Sequence, residues 1–315
     1  MVIPILFSLF VVQSNHLLTI QYLYTKRKIG IYTTLYMSQI YYFCALKELI
    51  MHIDIREILH KRMGRRLPKF IVRPLERLIH QEELNALFDD CRGVTPHEFL
   101  KRAFDYLDIT CSVEFTAPIE DDGRYIFASN HPFGGLDGML LVDVLLNRWG
   151  DAGAVVNDLL MNVAYLEPLW IPINKYGKQS AEKSRRYDEA FASETKQILT
   201  FPAGFCSRIV DGKVADTEWK SHFIKDAIKY DRRIVPVFVD GTLSKRFYRI
   251  YRMRRLLHIN INLELVLLVD EMFRQRGNHI RIYVGAPVDV ATIEGNRAAQ
   301  CAEIRRRVYN LKPNR

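Results

Sequence analysis

Beyond residue 110, the apolar positions of the chain form short β-prone runs that alternate with longer segments of helical spacing. Short apolar runs bounded by turn signals are typical of buried strands. These runs predict strands at residues 125–129, 154–156, 170–173, 198–201, 234–239 and 279–284. The intervening segments predict helices at residues 138–149, 181–196, 217–230 and 291–311. Such alternation predicts an α/β domain over residues 111–315, with a largely parallel central sheet flanked by helices.

The segment over residues 51–110 has the pattern of helices without strands. Apolar side chains recur three and four positions apart between residues 71 and 88, which is the spacing of one helix face. Thr95, Pro96 and Glu98 then form the signature of a capped helix start. We therefore predict a helical lead-in, which either packs on the core of the following domain or docks on a membrane surface through its bases.

Residues 1–50 form a doubtful N-terminal extension. The apolar run at residues 2–12 is shorter than the ~20 residues that span a bilayer. A signal peptide would place its positive charges before the apolar run, whereas the bases at residues 26–28 follow it. We interpret this stretch as upstream sequence ahead of a start at Met51, and a membrane anchor is the alternative interpretation.

The chain of 315 residues carries 45 Lys and Arg against 36 Asp and Glu, a net charge of +9. An excess of this size indicates an anionic partner, which is nucleic acid, an anionic membrane surface or an acidic substrate. The five cysteines are scattered without any Cys-x-x-Cys spacing. They favour a reducing compartment and argue against a disulfide framework, and no set of His and Cys has the spacing of a metal site.

The most informative chemistry lies at residues 129–138, where a predicted strand ends and a predicted helix begins. That junction is the usual place for a functional site in an open α/β sheet. His131 can act there as a general base, and Asp137 can orient the imidazole and stabilise its charged form. Gly134 and Gly135 allow the tight turn that brings the two side chains together. An incidental histidine in a structural turn is the alternative interpretation.

Asn130 and His131, with Asp137 after them, resemble the first motif of the glycerolipid acyltransferases, the lysophosphatidic acid acyltransferase superfamily. The resemblance covers most of the predicted α/β domain, and three further motifs follow in the family's order. They are the acceptor-binding motif at residues 170–178, the Phe-Pro-Glu-Gly motif at residues 201–208 and the apolar strand with proline at residues 234–237. The resemblance implies a glycerolipid acyltransferase-like α/β fold and an O-acyltransferase of membrane-lipid synthesis.

Two departures from the common pattern narrow the resemblance. Five residues separate His131 from Asp137, where most members have four, and Ala203 stands where most have glutamate. Both departures are similar to a bacterial subgroup labelled hemolysins, which includes O-acyltransferases that complete glycine and ornithine lipids. The resemblance therefore implies a lyso amino-acid lipid as the acceptor. Lysophosphatidic acid is the alternative acceptor, and a membrane-surface protein without enzymatic activity is the alternative function.

The resemblance and the residue types imply the same chemistry. His131 would take the proton from an acceptor hydroxyl while that hydroxyl attacks an acyl thioester, so neither a bound cofactor nor an acyl-enzyme on Cys206 is required. The implied donor is acyl-acyl carrier protein or acyl-coenzyme A. Bases near the motifs are expected to bind the anionic head of the acceptor, and two smaller residues to shape the loops around it. These substrate-site residues are Arg208, Lys175, Lys178, Asn130 and Gly204.

A second feature fits a lipid substrate. Residues 245–257 interleave bases with large apolar side chains, as in segments that lie on anionic lipid. The predicted membrane contacts are Arg246, Phe247, Arg249, Tyr251, Arg252, Arg254 and Arg255. Nucleic acid is the alternative partner for such a stretch, but no recognisable nucleic-acid module accompanies it, so we predict no nucleic-acid partner. We expect a peripheral protein on the cytoplasmic face of the inner membrane.

Overall fold

The structure, a computed structural model, describes residues 52–157, 165–173, 180–210, 212–258 and 264–313. Residues 1–50 lie outside the described residues, and so do Lys175 and Lys178. The interpretations of these residues, and the boundary at residue 110 between lead-in and main domain, stay predictions.

The lead-in folds into helices, as its apolar spacing predicts. They are α1 (Ile55–Met63), α2 (Lys69–Leu78), α3 (Gln81–Asp90) and α4 (Pro96–Tyr106). The predicted cap of α4 is confirmed, because the Thr95 side chain accepts from the backbone N–H of Glu98 and the Glu98 side chain accepts from the backbone N–H of Thr95. His80 adopts a left-handed backbone with φ of 50° between α2 and α3. The continuous apolar spacing therefore belongs to two helices.

The lead-in helices contribute to two hydrophobic clusters. α1 and α2 pack against each other through a small hydrophobic cluster that includes Leu59 and Val72. α3 and α4 instead bury Leu87, Phe99 and Leu100 in the main core of the molecule, together with residues of the sheet.

The remaining elements alternate between strands and helices for most of their length. In chain order they are β1 (Thr110–Phe115), β2 (Tyr125–Ser129), α5 (Gly135–Trp149), β3 (Ala152–Asn157), β4 (Trp170–Ile173), α6 (Ala181–Ala192), β5 (Gln197–Thr200), β6 (Arg208–Val210), β7 (Lys213–Ala215), α7 (His222–Lys229), β8 (Arg233–Asp240), α8 (Lys245–Leu256), α9 (Glu264–Phe273), β9 (His279–Val284) and α10 (Arg297–Asn310).

In the described part of the chain, seven strands form the main sheet, in the order β1-β9-β8-β2-β5-β3-β4. Every neighbouring pair is parallel except β8 and β9, which are antiparallel. The predicted fold class, a largely parallel sheet flanked by helices, is therefore confirmed. β6 and β7 form a separate antiparallel hairpin.

β2 lies in the middle of the sheet, and its side chains alternate between two cores. Tyr125 and Phe127 belong to the cluster that contains α5, while Ile126 and Ala128 belong to the cluster that contains α7 and α10. This alternation follows from the two-residue repeat of a strand. Both faces of β2 are covered, which is the state expected of a parallel strand in an α/β fold. The loop that follows β2 therefore leaves a rigid strand at its carboxyl end.

Two of the strand-forming parts, β1 and the hairpin of β6 and β7, do not appear in the sequence pattern. β1 pairs with β9 at the edge of the sheet, and its exposed residues include the polar side chains of Thr110, Ser112 and Glu114. The hairpin strands β6 and β7 have three residues each, so no periodicity could develop in them. An edge strand and a short hairpin both lack the continuous apolar run that predicted the buried strands.

The structure corrects one of the predicted membrane contacts on α8. Phe247 is fully buried, so the prediction that it touches a membrane is wrong. The helical repeat turns Phe247 and the neighbouring Tyr248 inward, where they join the main core. Arg249, Arg252 and Arg255 lie on the exposed side of the helix.

The other predicted membrane contacts on α8 are half-buried. Arg246 donates a hydrogen bond of 2.7 Å to the carboxylate of Asp270 on α9. Tyr251 and Arg254 are half-buried, and the Arg254 guanidinium lies 5.6 Å from the centre of the Tyr251 ring. Their contact with a membrane stays a prediction.

Candidate active site

His131 follows the carboxyl end of β2, where the sequence predicts a functional site. Its Nδ1 lies 2.9 Å from Oδ2 of Asp137, and its side chain is 15% exposed. The imidazole stacks on the Phe201 ring at a centroid distance of 4.0 Å. The predicted pair is therefore in contact, and the histidine ring is held on one side while part of it reaches solvent.

Asp137 lies in the first turn of α5 with its side chain fully buried. Its Oδ2 accepts hydrogen bonds from the backbone N–H groups of Phe133, at 2.9 Å, and Gly134, at 3.0 Å. Burial raises the pKa of the Asp137 carboxyl above its ordinary value, although the contact with His131 opposes the rise. The positive end of the α5 dipole favours the ionised form at this position. The carboxylate is thus held in a fixed orientation towards the imidazole.

The turn between His131 and Asp137 requires a glycine at position 134 for steric reasons. Gly134 has φ of 77°, a left-handed conformation that side chains rarely adopt. A Cβ at this position would also lie 3.2 Å from the side chain of Leu268 on α9. The turn that brings His131 back onto Asp137 therefore depends on this residue.

Asn130 fastens the same loop to the neighbouring strand. Its side-chain Nδ2 donates to the backbone carbonyl of Val239 at 2.9 Å, and its Oδ1 accepts from the Val239 backbone N–H at 2.7 Å. The residue is buried, and its amide pairs with β8 as a backbone peptide would. The observed role of Asn130 is to position the loop, and its contact with substrate stays a prediction.

The loop that resembles the third family motif meets the His131 loop directly. The backbone N–H of Ser207 donates to the carbonyl of His131 at 2.6 Å. The turn before it closes through a hydrogen bond of 2.9 Å from the Gly204 N–H to the Phe201 carbonyl, and Gly204 has φ of 66°. Ala203 is buried beneath this turn. The structure therefore brings the first and third motifs together around the imidazole.

Arg208 follows Ser207 directly and begins β6. Its side chain is buried, and its Nη1 donates to the carbonyl and to Sγ of Cys206, each at 2.7 Å. The guanidinium lies 5.1 Å from the ring centre of Phe247 and 5.0 Å from that of Tyr251. Arg208 thus joins the site to α8, and its predicted contact with the anionic head of the acceptor stays a prediction.

Asp216 is a site residue that the sequence pattern did not reveal. Its carboxylate is buried, and Oδ1 accepts the backbone N–H of His131 at 3.1 Å and the hydroxyl of Ser207 at 2.6 Å. It lies far from residues 129–138 along the chain and outside the family motifs. Its importance follows from the three-dimensional contacts alone.

The sequence model of a protein family described as Acyltransferase matches residues 58–314, so the chain belongs to this acyltransferase family. The prediction of an O-acyltransferase enzyme is confirmed. Two similar curated proteins are lyso-glycine lipid O-acyltransferases. The protein of Phocaeicola vulgatus is 35% identical over 268 residues, which are 83% of this chain and 96% of that protein. The protein of Bacteroides thetaiotaomicron is 36% identical over 265 residues, 82% of this chain and 97% of that protein.

Among solved structures, the chain is similar to the 1-acyl-sn-glycerophosphate acyltransferase PlsC of Thermotoga maritima. The sequence identity is 17% and the TM-score is 0.39. The match covers 86% of this chain and 98% of that chain.

Proposed function

We propose that this protein transfers a fatty acyl group from a thioester to the hydroxyl of a lyso-glycine lipid. The observation that carries the chemistry is the contact between His131 and the buried Asp137 at the end of a central strand. The two similar lyso-glycine lipid O-acyltransferases support the acceptor, because each aligns with this chain over nearly its own full length.

The proposed reaction uses the second ring nitrogen of His131. Nδ1 lies 2.9 Å from Oδ2 of Asp137, so Nε2 is the ring nitrogen left to face the acceptor. Nε2 takes the proton from the acceptor hydroxyl as its oxygen attacks the thioester carbonyl carbon. The bond between carbonyl carbon and sulfur breaks, and the proton on the imidazole passes to the leaving thiolate. Asp137 stabilises the imidazolium between these steps.

The glycine head group offers a single planar carboxylate. A guanidinium binds such a group through two parallel hydrogen bonds, whereas a phosphate brings nearly two charges and three oxygens. Arg208 is the proposed partner of this carboxylate, since it lies beside the Ser207 contact with His131. Acyl-acyl carrier protein and acyl-coenzyme A both remain proposed donors, and both are anionic partners suited to a chain of net charge +9.

The acceptor is tested by competition. Purified protein receives lyso-glycine lipid and lysophosphatidic acid at equal concentration, with one acyl thioester as the donor. We expect faster acylation of the lyso-glycine lipid, because its head group matches a single guanidinium. The Arg208→Ala variant should reduce the difference between the two acylation rates. Arg306→Ala serves as the matched control, since Arg306 is an exposed arginine on α10. Faster acylation of lysophosphatidic acid by the unaltered protein would reverse the choice of acceptor.

A lipid acceptor requires the protein to reach a membrane. Among the described residues, no helix is both long enough and apolar enough to cross one. The proposed docking surface is the outer side of α8, where Met253 and Leu256 are 54% and 76% exposed and Leu257 beyond its end is 62% exposed. Arg249, Arg252 and Arg255 accompany these apolar side chains and would attract anionic lipid. The proposed location is the cytoplasmic face of the inner membrane.

Docking is tested by sedimentation with anionic phospholipid vesicles. The double variant Leu256→Glu and Leu257→Glu should bind vesicles about tenfold more weakly, because it removes apolar contact and adds negative charge. Ile228→Glu is the matched control, since Ile228 is 57% exposed on α7. High salt should also release part of the unaltered protein, because it screens surface charge. Equal binding of the double variant and the unaltered protein would exclude α8 as the docking surface.

A further inference from the structure

The β6–β7 hairpin holds the main chain of His131 from two sides. Ser207 immediately precedes β6, and Asp216 immediately follows β7. The Ser207 N–H donates to the His131 carbonyl at 2.6 Å, and the His131 N–H donates to Asp216 Oδ1 at 3.1 Å. The Ser207 hydroxyl donates to the same Oδ1 at 2.6 Å. Both polar groups of the His131 backbone are therefore bonded to the two ends of one hairpin.

Asp216 is itself fixed by its surroundings. Its side chain is 1% exposed, and its second oxygen, Oδ2, accepts from Nε1 of Trp219 at 2.9 Å. Its backbone N–H donates to the hydroxyl of Tyr309 at 2.8 Å, and its carbonyl accepts from Arg305 at 3.1 Å. Tyr309 and Arg305 both lie on α10, a long helix packed against the sheet. The carboxylate that holds His131 is therefore anchored to the body of the domain.

The other end of the hairpin is anchored as well. Arg208 follows Ser207 directly and lies buried against Phe247 and Tyr251 of α8. The hairpin thus spans from α8 to α10, and the His131 loop is fastened between its two ends.

We propose that Asp216 is a positioning residue for acyl transfer, which sets the imidazole of His131 against Asp137 by holding the His131 backbone. The Nδ1 contact of His131 fixes one point of the ring, but the ring can still tilt if the backbone moves. A displacement of about 1 Å at a catalytic group can cost roughly 10²-fold in rate. Two hydrogen bonds that hold the backbone therefore have a direct effect on turnover.

The chemistry of the site explains why an aspartate serves here. Three donors converge on the two carboxylate oxygens, namely the His131 N–H, the Ser207 hydroxyl and the Trp219 indole N–H. An ionised carboxylate is acceptor-only and satisfies all three. An asparagine would turn an NH₂ group towards one of these donors, so a buried donor would lose its partner. The site is therefore selective for the acidic side chain.

The test compares variants that remove different parts of this network. This inference depends on His131 as the general base, so His131→Ala is measured alongside. Asp216→Ala should lower kcat by about 10²-fold while the KM of acceptor and donor stay nearly unchanged, because the substrate contacts are not altered. Ser207→Ala should give a smaller loss, since its backbone N–H remains, and Ser207→Thr should restore the rate because it returns the hydroxyl.

Asp226→Ala is the matched control. It removes a half-buried carboxylate on α7 that accepts from the Tyr187 hydroxyl at 2.7 Å and leaves the network around Asp216 and His131 intact, so kcat should stay within about threefold of the unaltered protein. If Asp216→Ala does not fold, kcat is compared in Asp216→Asn and Ser207→Ala, which remove fewer atoms from the buried network. Unchanged kcat in the folded Asp216 variants, or an equal loss in Asp226→Ala, would overturn the positioning role. Full activity of His131→Ala would instead overturn the proposed mechanism itself.

Discussion

His131→Ala should lower kcat by about 10²–10⁴-fold, because general-base catalysis contributes an effect of this size. The side chain is only 15% exposed and touches Asp137 and Phe201, but its backbone hydrogen bonds do not depend on the ring. The variant should therefore keep the fold. Initial rates of thiol release with saturating acceptor measure the loss.

A matched control for this variant lies elsewhere on the surface. His52 is exposed and pairs with Asp89 on the lead-in at 3.0 Å, so His52→Ala should retain full activity. A folded His131→Ala protein with the rate of the unaltered enzyme would contradict the assignment of the base.

Asp137→Asn should lower kcat by a similar factor of about 10²–10⁴, because an amide neither stabilises the imidazolium nor holds the same ring tautomer. The same variant should be more stable than the unaltered protein, with a larger free energy of unfolding at neutral pH. Since burial raises the pKa of Asp137, the ionised carboxyl at neutral pH costs folding free energy, which the neutral amide avoids. The amide oxygen can still accept from Phe133 and Gly134.

The pH dependence of unfolding tests this predicted gain in stability of Asp137→Asn. A carboxyl whose pKa is raised by folding favours the folded state at low pH, and this contribution is lost as the pH rises through the raised pKa. As the pH rises from the ordinary pKa of an aspartate to the raised pKa of Asp137, the melting temperature of the unaltered protein should therefore fall relative to that of Asp137→Asn. A variant that is less stable than the unaltered protein at neutral pH, or that keeps full activity, would contradict this account of Asp137.

The sheet and the contact between His131 and Asp137 could be predicted because their signals are local. The apolar runs at residues 125–129 and 234–239 mark strands buried on both faces, and they became β2 and β8. His131 and Asp137 lie on one short turn, so their contact followed from the glycines between them.

The remaining parts of the site depend on contacts that are distant along the chain. Asp216 reaches His131 across 85 positions, and no pattern in either segment indicates the other. The interleaved bases and aromatics at residues 245–257 predict one exposed surface, whereas the helical repeat separates an inner side, with Phe247, from an outer side. Periodicity could have placed Phe247, but nothing in the sequence alone could have placed Asp216.

The most direct test of the central claim is the lipid composition of a host whose gene for this protein is deleted. The account predicts that N-acylated glycine with a free hydroxyl on its acyl chain accumulates and that the doubly acylated glycine lipid disappears. A gene that starts at Met51 should restore the doubly acylated lipid, and the same gene with His131→Ala should not. Unchanged glycine lipids in the deleted host, or restoration by the His131→Ala gene, would contradict the account.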